Sequence, residues 1–521
     1  MAFRVTYATL SADNEELHAG FEAGIVAART MLGERHPSVI DGMPIDRGAD
    51  FSTASPIDQE VAVATFAIAT DADVAVAVRA ARRGFAAWSA TPWDRRCEIL
   101  DRGADIISEQ RNEISALLSI EVGKNRLEAL GDVEETADLI RYYTHQMREH
   151  AGFAQPMGRL SPAERTSDVM RPYGVWAVIS PFNFPAALAG GPMGAALAAG
   201  NTVVLKPSEI GGLTSLHMAR ALWDGGVPAS ALHVVFGPGE TVGRALVDDP
   251  AVDGITFTGS YEVGIEIYHR FAGVYPKPVI CEMGGKNPVI VTRNADLDLA
   301  AEGTMRSAFG LTGQKCSAAS RAYIERTVYD EFVAKLVERA EAVAVGDPLE
   351  RQNWMGPIID DSAVARYEAA VDQARSEGKV LCGGRRLSGG ALARGNFVAP
   401  TVVEVPAGSS LWTTELFAPL ITVMPVDSID EGLARANDQT LGLTAGFYSR
   451  DEGEIERFLD KIEAGVVYVN RRAGATTGAW PGVQPFGGWK GSGTGGKAGG
   501  GPYYVQQYLR EQSRTIVEPE G

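Results

Sequence analysis

At 521 residues the chain is too long for one hydrophobic core, which points to two or three domains. Hydrophobic residues at 45% and charged ones at 22% fit a soluble globular protein. A formal charge of -18, from 48 Lys and Arg against 66 Asp and Glu, argues against a nucleic-acid partner, which would need a basic footprint.

The first 50 residues read as an irregular arm with a helix from about 14 to 31. They lack a basic segment followed by an apolar one, so no signal peptide is expected and the cytoplasm is the default location. Asp71 can cap a helix running to about Trp88, and further helices are expected at about 92–119 and 125–149. GRLSPAERTSDVMRPYG then loses helical period and reads as turns and short strands, a hairpin or an arm reaching another subunit. From Gly174 the pattern becomes alternating strand and helix: VWAVIS, an Ala- and Gly-rich helix, TVVLKPS, a helix from about Thr214, HVVF, a helix opening near GPGETVG, ITFTGS and YEVGIEIYHRF. Such alternation makes parallel βαβ units. Glycines and Pro192 interrupt the apolar stretch 186–204, which therefore reads as a buried helix feeding a strand and not as a membrane span. A second α/β region begins at PVICEMGG and runs to about Asn470, with a long helix at about 297–312. The tail is rich in glycine up to Gly501 and becomes strand-like around 503–517.

Four cysteines stand without metal-ligand or disulfide spacing, so no metal site is expected. Cys316, in GLTGQKCSAASR, follows a glycine-containing turn and has polar flanks in Gln314, Lys315 and Ser317. It reads either as a small core residue or as an exposed nucleophile. Glu282, beside Gly284 and Gly285, is a general base or the cap of a close-packed turn. Asn183, in SPFNFP, follows a buried strand where open α/β proteins place ligands, and can donate to an oxyanion or satisfy turn backbone. Lys206 and Glu209 can bind ribose hydroxyls or be ordinary surface residues. FGPGETVG, containing Gly239, only approximates the dinucleotide fingerprint. Gly259 and Ser260 open the next helix, whose N–H groups can meet a pyrophosphate.

PFNFP, VVLKPSE, FTGSYEVG, EMGGKNP, GQKCSA, ELFAP and PFGGWKGSG occur in this order. Together they resemble the aldehyde dehydrogenase superfamily over essentially the whole chain. The resemblance implies an α/β fold with a Rossmann-like cofactor domain, an α/β catalytic domain and an oligomerisation hairpin. It makes Cys316 the nucleophile, Glu282 the base and Asn183 an oxyanion donor. Lys206 and Glu209 would hold the adenosine ribose of NAD, Gly239, Gly259 and Ser260 would lie against the cofactor, Glu415 would bind the nicotinamide ribose, and Phe417 would pack nearby. The carboxylate of Glu209 favours NAD over NADP, whose 2′-phosphate would meet like charge. The expected partition is 1–154 and 172–276 for the NAD-binding domain with its arm, 277–480 for the catalytic domain, 155–171 and 502–521 for oligomerisation, and 481–501 for a return to the cofactor domain lining the site.

GQKCSAASR, ATTGAWPGVQPFGG and the glycine-rich tail further resemble the 1-pyrroline-5-carboxylate dehydrogenase group. Members oxidise L-glutamate γ-semialdehyde to glutamate in proline breakdown. By this resemblance Ser317 and the N–H groups of Gly478 and Ala479 hold the α-carboxylate, and Phe184 and Phe486 sandwich the aliphatic chain. Trp480 and Pro481 depart from the small or aliphatic residues often found in that loop, which leaves the pocket's preference open. The alternatives are a broad-specificity or other semialdehyde dehydrogenase and, more remotely, an inactive structural or binding homologue. A homodimer or higher homo-oligomer is expected, and any proline dehydrogenase partner would be a separate chain.

Overall fold

The computed structural model describes residues 14–474 and 479–517. Its organising feature is a pair of seven-stranded sheets. The first runs Val279–Glu282, Gly254–Thr258, Val175–Ile179, Thr202–Lys206, Leu232–Val234, Ser38–Ile40 and Met43–Ile45 in spatial order. The first five strands pair in parallel, and the last two extend the edge antiparallel from the N-terminal arm. Val175–Ile179 and Thr202–Lys206 are buried at every residue, as central parallel strands must be when helices cover both faces. Strand order reverses between Val175–Ile179 and Gly254–Thr258, and ligands bind off the carboxyl ends of strands at such a switch point.

The second sheet runs Lys379–Cys382, Thr401–Glu404, Leu420–Val426, Ala319–Glu325, Asn287–Val291, Thr444–Tyr448 and Val466–Val469, with its first strand antiparallel to its neighbour. The carboxyl ends of the first sheet meet the amino ends of the second: Glu282 closes a strand of one, and Asn287 opens a strand of the other. A third sheet pairs Leu509–Val517 antiparallel with Glu164–Pro172, which in turn pairs with Ala154–Pro156. Among the described residues no helix is long and apolar enough to cross a membrane.

Several expectations shift. Val279–Glu282, read as the start of the second α/β region, joins the first sheet beside Gly254–Thr258. Its apolar run completes a parallel edge there, and the chain crosses to the second sheet only after the glycines at 284 and 285. The cap at the 71 helix is Thr70, with Asp73 returning the bond to the Thr70 N–H, so Asp71 is the first helical residue. The single helix expected at 92–119 is two, Trp93–Glu109 and Arg111–Val122, parted at Gln110. GPGETVG opens as a π-helical turn, Gly239–Gly243, before the short helix Arg244–Asp248. The helices Asp361–Glu377, Ile429–Asn437 and Glu452–Lys461 and the strand Thr444–Tyr448 fall in stretches the sequence reading leaves unassigned. In that strand, TAGFY, the alanine and glycine weaken the strand signal.

Candidate active site

The helix Leu297–Phe309 stops three residues earlier than its periodicity suggests. Leu311 and Thr312 take positive φ angles of 48° and 56°, a left-handed backbone that costs roughly 1–3 kcal/mol per residue without glycine. Side chains from elsewhere hold this turn. Glu128 accepts the Leu311 N–H at 2.9 Å, Thr312 Oγ1 donates to Gly356 O at 3.0 Å, and Gln314 Oε1 accepts the Ile359 N–H at 2.9 Å. Glu128 also pairs with Lys315 Nζ at 2.9 Å, the residue just ahead of the thiol.

Cys316 ends this turn at the junction of two cavities and lines both. Burial pushes its thiol up to about 12, with the Glu415 and Glu282 carboxylates adding to the shift and the N–H groups of Ser317 and Cys316 opposing it. The resting group is therefore a thiol that needs a base. Cys281 is also pushed up to about 12 by burial, but it sits wholly inside a core cluster. Access, and not acidity, separates the two cysteines.

The larger cavity, about 1120 Å³, gathers Asn183, Lys206, Glu209, Gly239, Gly259, Ser260, Glu282, Glu415 and Phe417 around Cys316. Burial pushes Glu282 up to about 8, and its Oε2 is buried with no hydrogen-bond partner among the described residues, as suits a proton acceptor. Asn183 donates from Nδ2 to Gln314 O at 3.0 Å and has a second N–H on the same nitrogen. Lys206 is 3% exposed and meets the Glu209 carboxylate at 3.4 Å, while the other Glu209 oxygen accepts the Gly239 N–H at 3.0 Å. Ser260 caps the helix Tyr261–Phe271, whose first turn lines the cavity. Glu415 accepts the Gly285 N–H at 2.9 Å, yet burial pushes it up to about 7. Phe417, at φ 54°, lies edge-on to Phe182 with ring centroids 5.9 Å apart. A buried ammonium beside a carboxylate fits ribose hydroxyls, and a helix amino end fits a pyrophosphate, so this donor set fits a dinucleotide.

The smaller cavity, about 400 Å³, is lined by Phe184, Ser317, Ala479 and Phe486 together with Cys316. Lys124 Nζ lies 3.4 Å from the Phe184 ring centroid and pairs with Asp132 at 2.9 Å, both side chains fully buried. Phe486 is held by two backbone hydrogen bonds to Gly499, of 2.9 and 2.7 Å. Trp480 is 5% exposed and donates from Nε1 to Asp138 at 2.8 Å, so its bulk anchors the loop to the helix Arg126–Glu149. Gly478 lies outside the described residues.

Sequence reasoning missed charged residues of this cavity, among them Glu128, Glu135, Arg306 and Arg471. Glu128 and Glu135 stand seven apart on one helix and share a face, a signal that helical spacing contains. It also missed Lys286, fully buried with an unpartnered Nζ and pushed down to about 7 by burial and Arg321. The glycine-rich tail has a structural task here. Ser492 accepts the Met283 N–H at 2.9 Å through its carbonyl and donates from Oγ to Gly284 O at 2.7 Å, strapping the turn beyond Glu282.

A family profile described as aldehyde dehydrogenase family matches residues 45–513. The chain is 36% identical over 504 residues to a protein from Geobacillus sp. strain WCH70 named 1-pyrroline-5-carboxylate dehydrogenase, covering 96% of each. Its fold is similar to a crystal structure of 1-pyrroline-5-carboxylate dehydrogenase from Thermus with bound NAD, at TM-score 0.92 and 34% identity over 97% of each chain. It is also similar to proline utilization A from Bdellovibrio bacteriovorus, at TM-score 0.91 and 35% identity, over 96% of this chain and 52% of that one. With that profile spanning most of its length and a relative 36% identical over 96% of it, the chain belongs to the aldehyde dehydrogenase family.

Proposed function

We propose that this protein oxidises L-glutamate γ-semialdehyde, the open form of 1-pyrroline-5-carboxylate, to L-glutamate with NAD. The observation that carries the reading is Cys316 lining both cavities, with Glu282 in the larger and the Phe184, Ser317, Ala479 and Phe486 set in the smaller.

Glu282 takes the thiol proton and passes it to solvent. The Cys316 sulphur adds to the aldehyde carbon, and the carbonyl pair moves onto oxygen, held by Asn183 and the Cys316 N–H. When bound, NAD would supply the acceptor for the aldehyde hydrogen as hydride; the oxygen pair returns to re-form C=O, leaving a thioester on Cys316. Lys206 and Glu209 would hold the adenosine ribose of NAD, the helix end at Gly259 and Ser260 would meet the pyrophosphate with Gly239 nearby, and Glu415 would take the nicotinamide ribose, with Phe417 beside it. Glu282 then removes a proton from water as its oxygen attacks the thioester carbon, the C–S bond breaks, and the acid leaves. In the smaller cavity, Phe184 and Phe486 flank the aliphatic chain, and Ser317, Gly478 and Ala479 take the α-carboxylate. Carboxylates and guanidinium groups on the same wall suit a zwitterionic end.

The exposed strand Leu509–Val517 supports a homodimer or higher homo-oligomer, since a nine-residue open edge calls for a partner. A stable monomer in light scattering at micromolar concentration overturns that. Four free cysteines, one of them the nucleophile, fit the reducing cytoplasm. The test of the substrate is NAD reduction with glutamate semialdehyde, succinate semialdehyde, propanal and hexanal. Glutamate semialdehyde leads by at least about tenfold in kcat/KM, roughly 1.4 kcal/mol, because propanal and hexanal leave donors built for a carboxylate unpaired and succinate semialdehyde, one carbon shorter, leaves the acceptors for an ammonium unpaired. Equal use of the simple aldehydes leaves a broad-specificity enzyme instead.

A further inference from the structure

A nucleophile on a strained turn must be kept from rocking, and the structure shows what holds this one. Three consecutive carbonyl oxygens are tied to a single wall. Asn287 Nδ2 donates to Cys316 O at 2.7 Å and to Ala318 O at 2.9 Å. Thr444 Oγ1 donates to the carbonyl between them, Ser317 O, at 3.3 Å. Asn287 Oδ1 in turn accepts the Thr444 N–H at 3.0 Å, so the two residues form a closed brace. Both are 1% exposed.

The brace arises where three strands of the second sheet begin. Asn287 and Thr444 each open a strand, and Ala319 opens the strand on the other side of Asn287–Val291. The ladder between Asn287–Val291 and Ala319–Glu325 shifts register between Asn287 and Pro288. Just ahead of that strand the Asn287 amide supplies bonds the backbone does not. Gly285 lets the wall close: a Cβ there would lie 2.6 Å from Cys316 O.

Pinning these carbonyls orients the opposite side of the turn. In a trans peptide the C=O and the following N–H point in opposite directions. With Cys316 O held to the wall, the Ser317 N–H must face away from it. The Ser317 and Cys316 N–H groups are the ones that act on the thiol, whereas the Ala318 N–H is occupied by Lys315 O at 3.0 Å. Fixed donors aimed where negative charge grows need no reorganisation as the reaction proceeds.

We propose that Asn287 and Thr444 are positioning residues that hold the Cys316 turn against the wall and so aim the Ser317 N–H group at the reacting centre. The proposal rests on Cys316 being the nucleophile. Neither side chain touches substrate; each acts through the backbone of the turn.

The test uses the full chain and four variants. Thr444→Val keeps the shape and the N–H given to Asn287 but loses the hydroxyl donor, and Thr444→Ser restores that donor. Asn287→Asp keeps the acceptor for Thr444 and loses both amide donors, and Asn287→Ala removes the brace. Each is assayed for NAD affinity, for kcat and KM, and for the pH dependence of iodoacetamide alkylation at Cys316, located by mass spectrometry. Asn287→Asp and Asn287→Ala should lower kcat by about 100-fold, the scale of losing one oriented donor, and Thr444→Val by about fivefold. In all three the alkylation midpoint should move to higher pH while NAD affinity stays within about twofold of the parent. Thr444→Ser should recover most of what Thr444→Val loses. Variants that bind NAD but keep kcat and an unmoved alkylation profile overturn the proposal. So does loss of kcat in step with NAD affinity at an unmoved profile, which marks a merely structural role. If the Asn287 variants do not fold, the Thr444 pair decides alone. Wild-type enzyme that keeps turnover after full alkylation of Cys316 refutes the nucleophile assignment itself, a separate result from failure of the brace.

Discussion

The two cavities that meet at Cys316 are built by different means. The larger is walled by short runs of consecutive residues at strand ends, 179–183, 257–263, 282–284 and 413–417 among them. Backbone N–H groups, glycines and a few charged side chains carry its chemistry. The smaller has such runs too, 125–128, 315–317 and 351–354, but sets beside them side chains from separated places, Glu135 on the helix that carries Glu128, Arg306 on another, Phe184 and Phe486 on loops. A phosphate, a ribose or a carboxylate can be met by oriented backbone, whereas the rest of an individual aldehyde must be met by side-chain shape and charge. Each substitution below therefore breaks the junction, one cavity, or the other.

The largest effect belongs to the junction. Cys316→Ser should cut turnover by more than about a thousandfold, because a hydroxyl lacks the nucleophilicity of sulphur, while leaving NAD affinity largely intact. Cys281→Ser, inside the core, should keep turnover and lower stability by about 1–3 kcal/mol through a buried hydroxyl. Steady-state rates and thermal melts of both proteins check the contrast. Near-native turnover in Cys316→Ser would refute the thioester route.

Glu282 comes next. Glu282→Gln should lower kcat about 100-fold by removing the base, and rapid mixing should show no first-turnover burst, because the same carboxylate takes the thiol proton before hydride leaves. A carboxyl pushed up to about 8 is protonated below that pH and cannot accept a proton, so activity should fall as pH drops through about 8. That limb should vanish in Glu282→Gln. A pH profile unchanged by the substitution would assign the limb to another group.

What could be read from the sequence follows the same division. Residues 181–185, 203–209, 257–264 and 282–288 each carry a strand end and its ligand-facing turn in one contiguous motif, so Lys206, Glu209, Ser260 and Glu282 were visible together. Glu128 was not, because its partners, Lys315 and the Leu311 N–H, are nearly two hundred residues away and only folding joins them. The placement of Val279–Glu282 departs from the sequence expectation for a related reason. Which sheet a strand joins depends on which edge is open, a tertiary fact that a buried apolar run does not encode. Asn287 passed as part of a motif although its bonds reach Cys316, Ala318 and Thr444.

A smaller effect, confined to the substrate side, is expected for Phe184→Ala. Losing one aromatic wall should raise KM for glutamate semialdehyde about tenfold, roughly 1.4 kcal/mol, with KM for NAD unchanged. The same change uncovers Lys124, whose ammonium lies against that ring, but leaves its bond to Asp132 in place. Hexanal, with no charged end to position, should lose less than glutamate semialdehyde. Equal losses for both aldehydes, or a matching rise in KM for NAD, would show that the cavities are not separable.

The smallest effect is the mirror image, on the cofactor side. Glu209 accepts the Gly239 N–H at 3.0 Å and faces Lys206 at 3.4 Å, so Glu209→Gln keeps an acceptor for the glycine but removes the charge. NAD should bind a few-fold more weakly, since a carboxylate is the better acceptor for two ribose hydroxyls. NADP should gain, because its 2′-phosphate no longer meets like charge. The shift in the NAD to NADP ratio of kcat/KM should stay within about tenfold. The Glu209 side chain is 40% exposed, so solvent and salt screen it, and the buried Lys206 already offsets part of the repulsion. The parent's preference for NAD should therefore narrow as salt rises, while that of Glu209→Gln should change little. KM for the aldehyde should not move in either protein. A parent enzyme that prefers NADP at low salt would remove Glu209 as the discriminating charge and leave Lys206 as the group that reads the 2′ position.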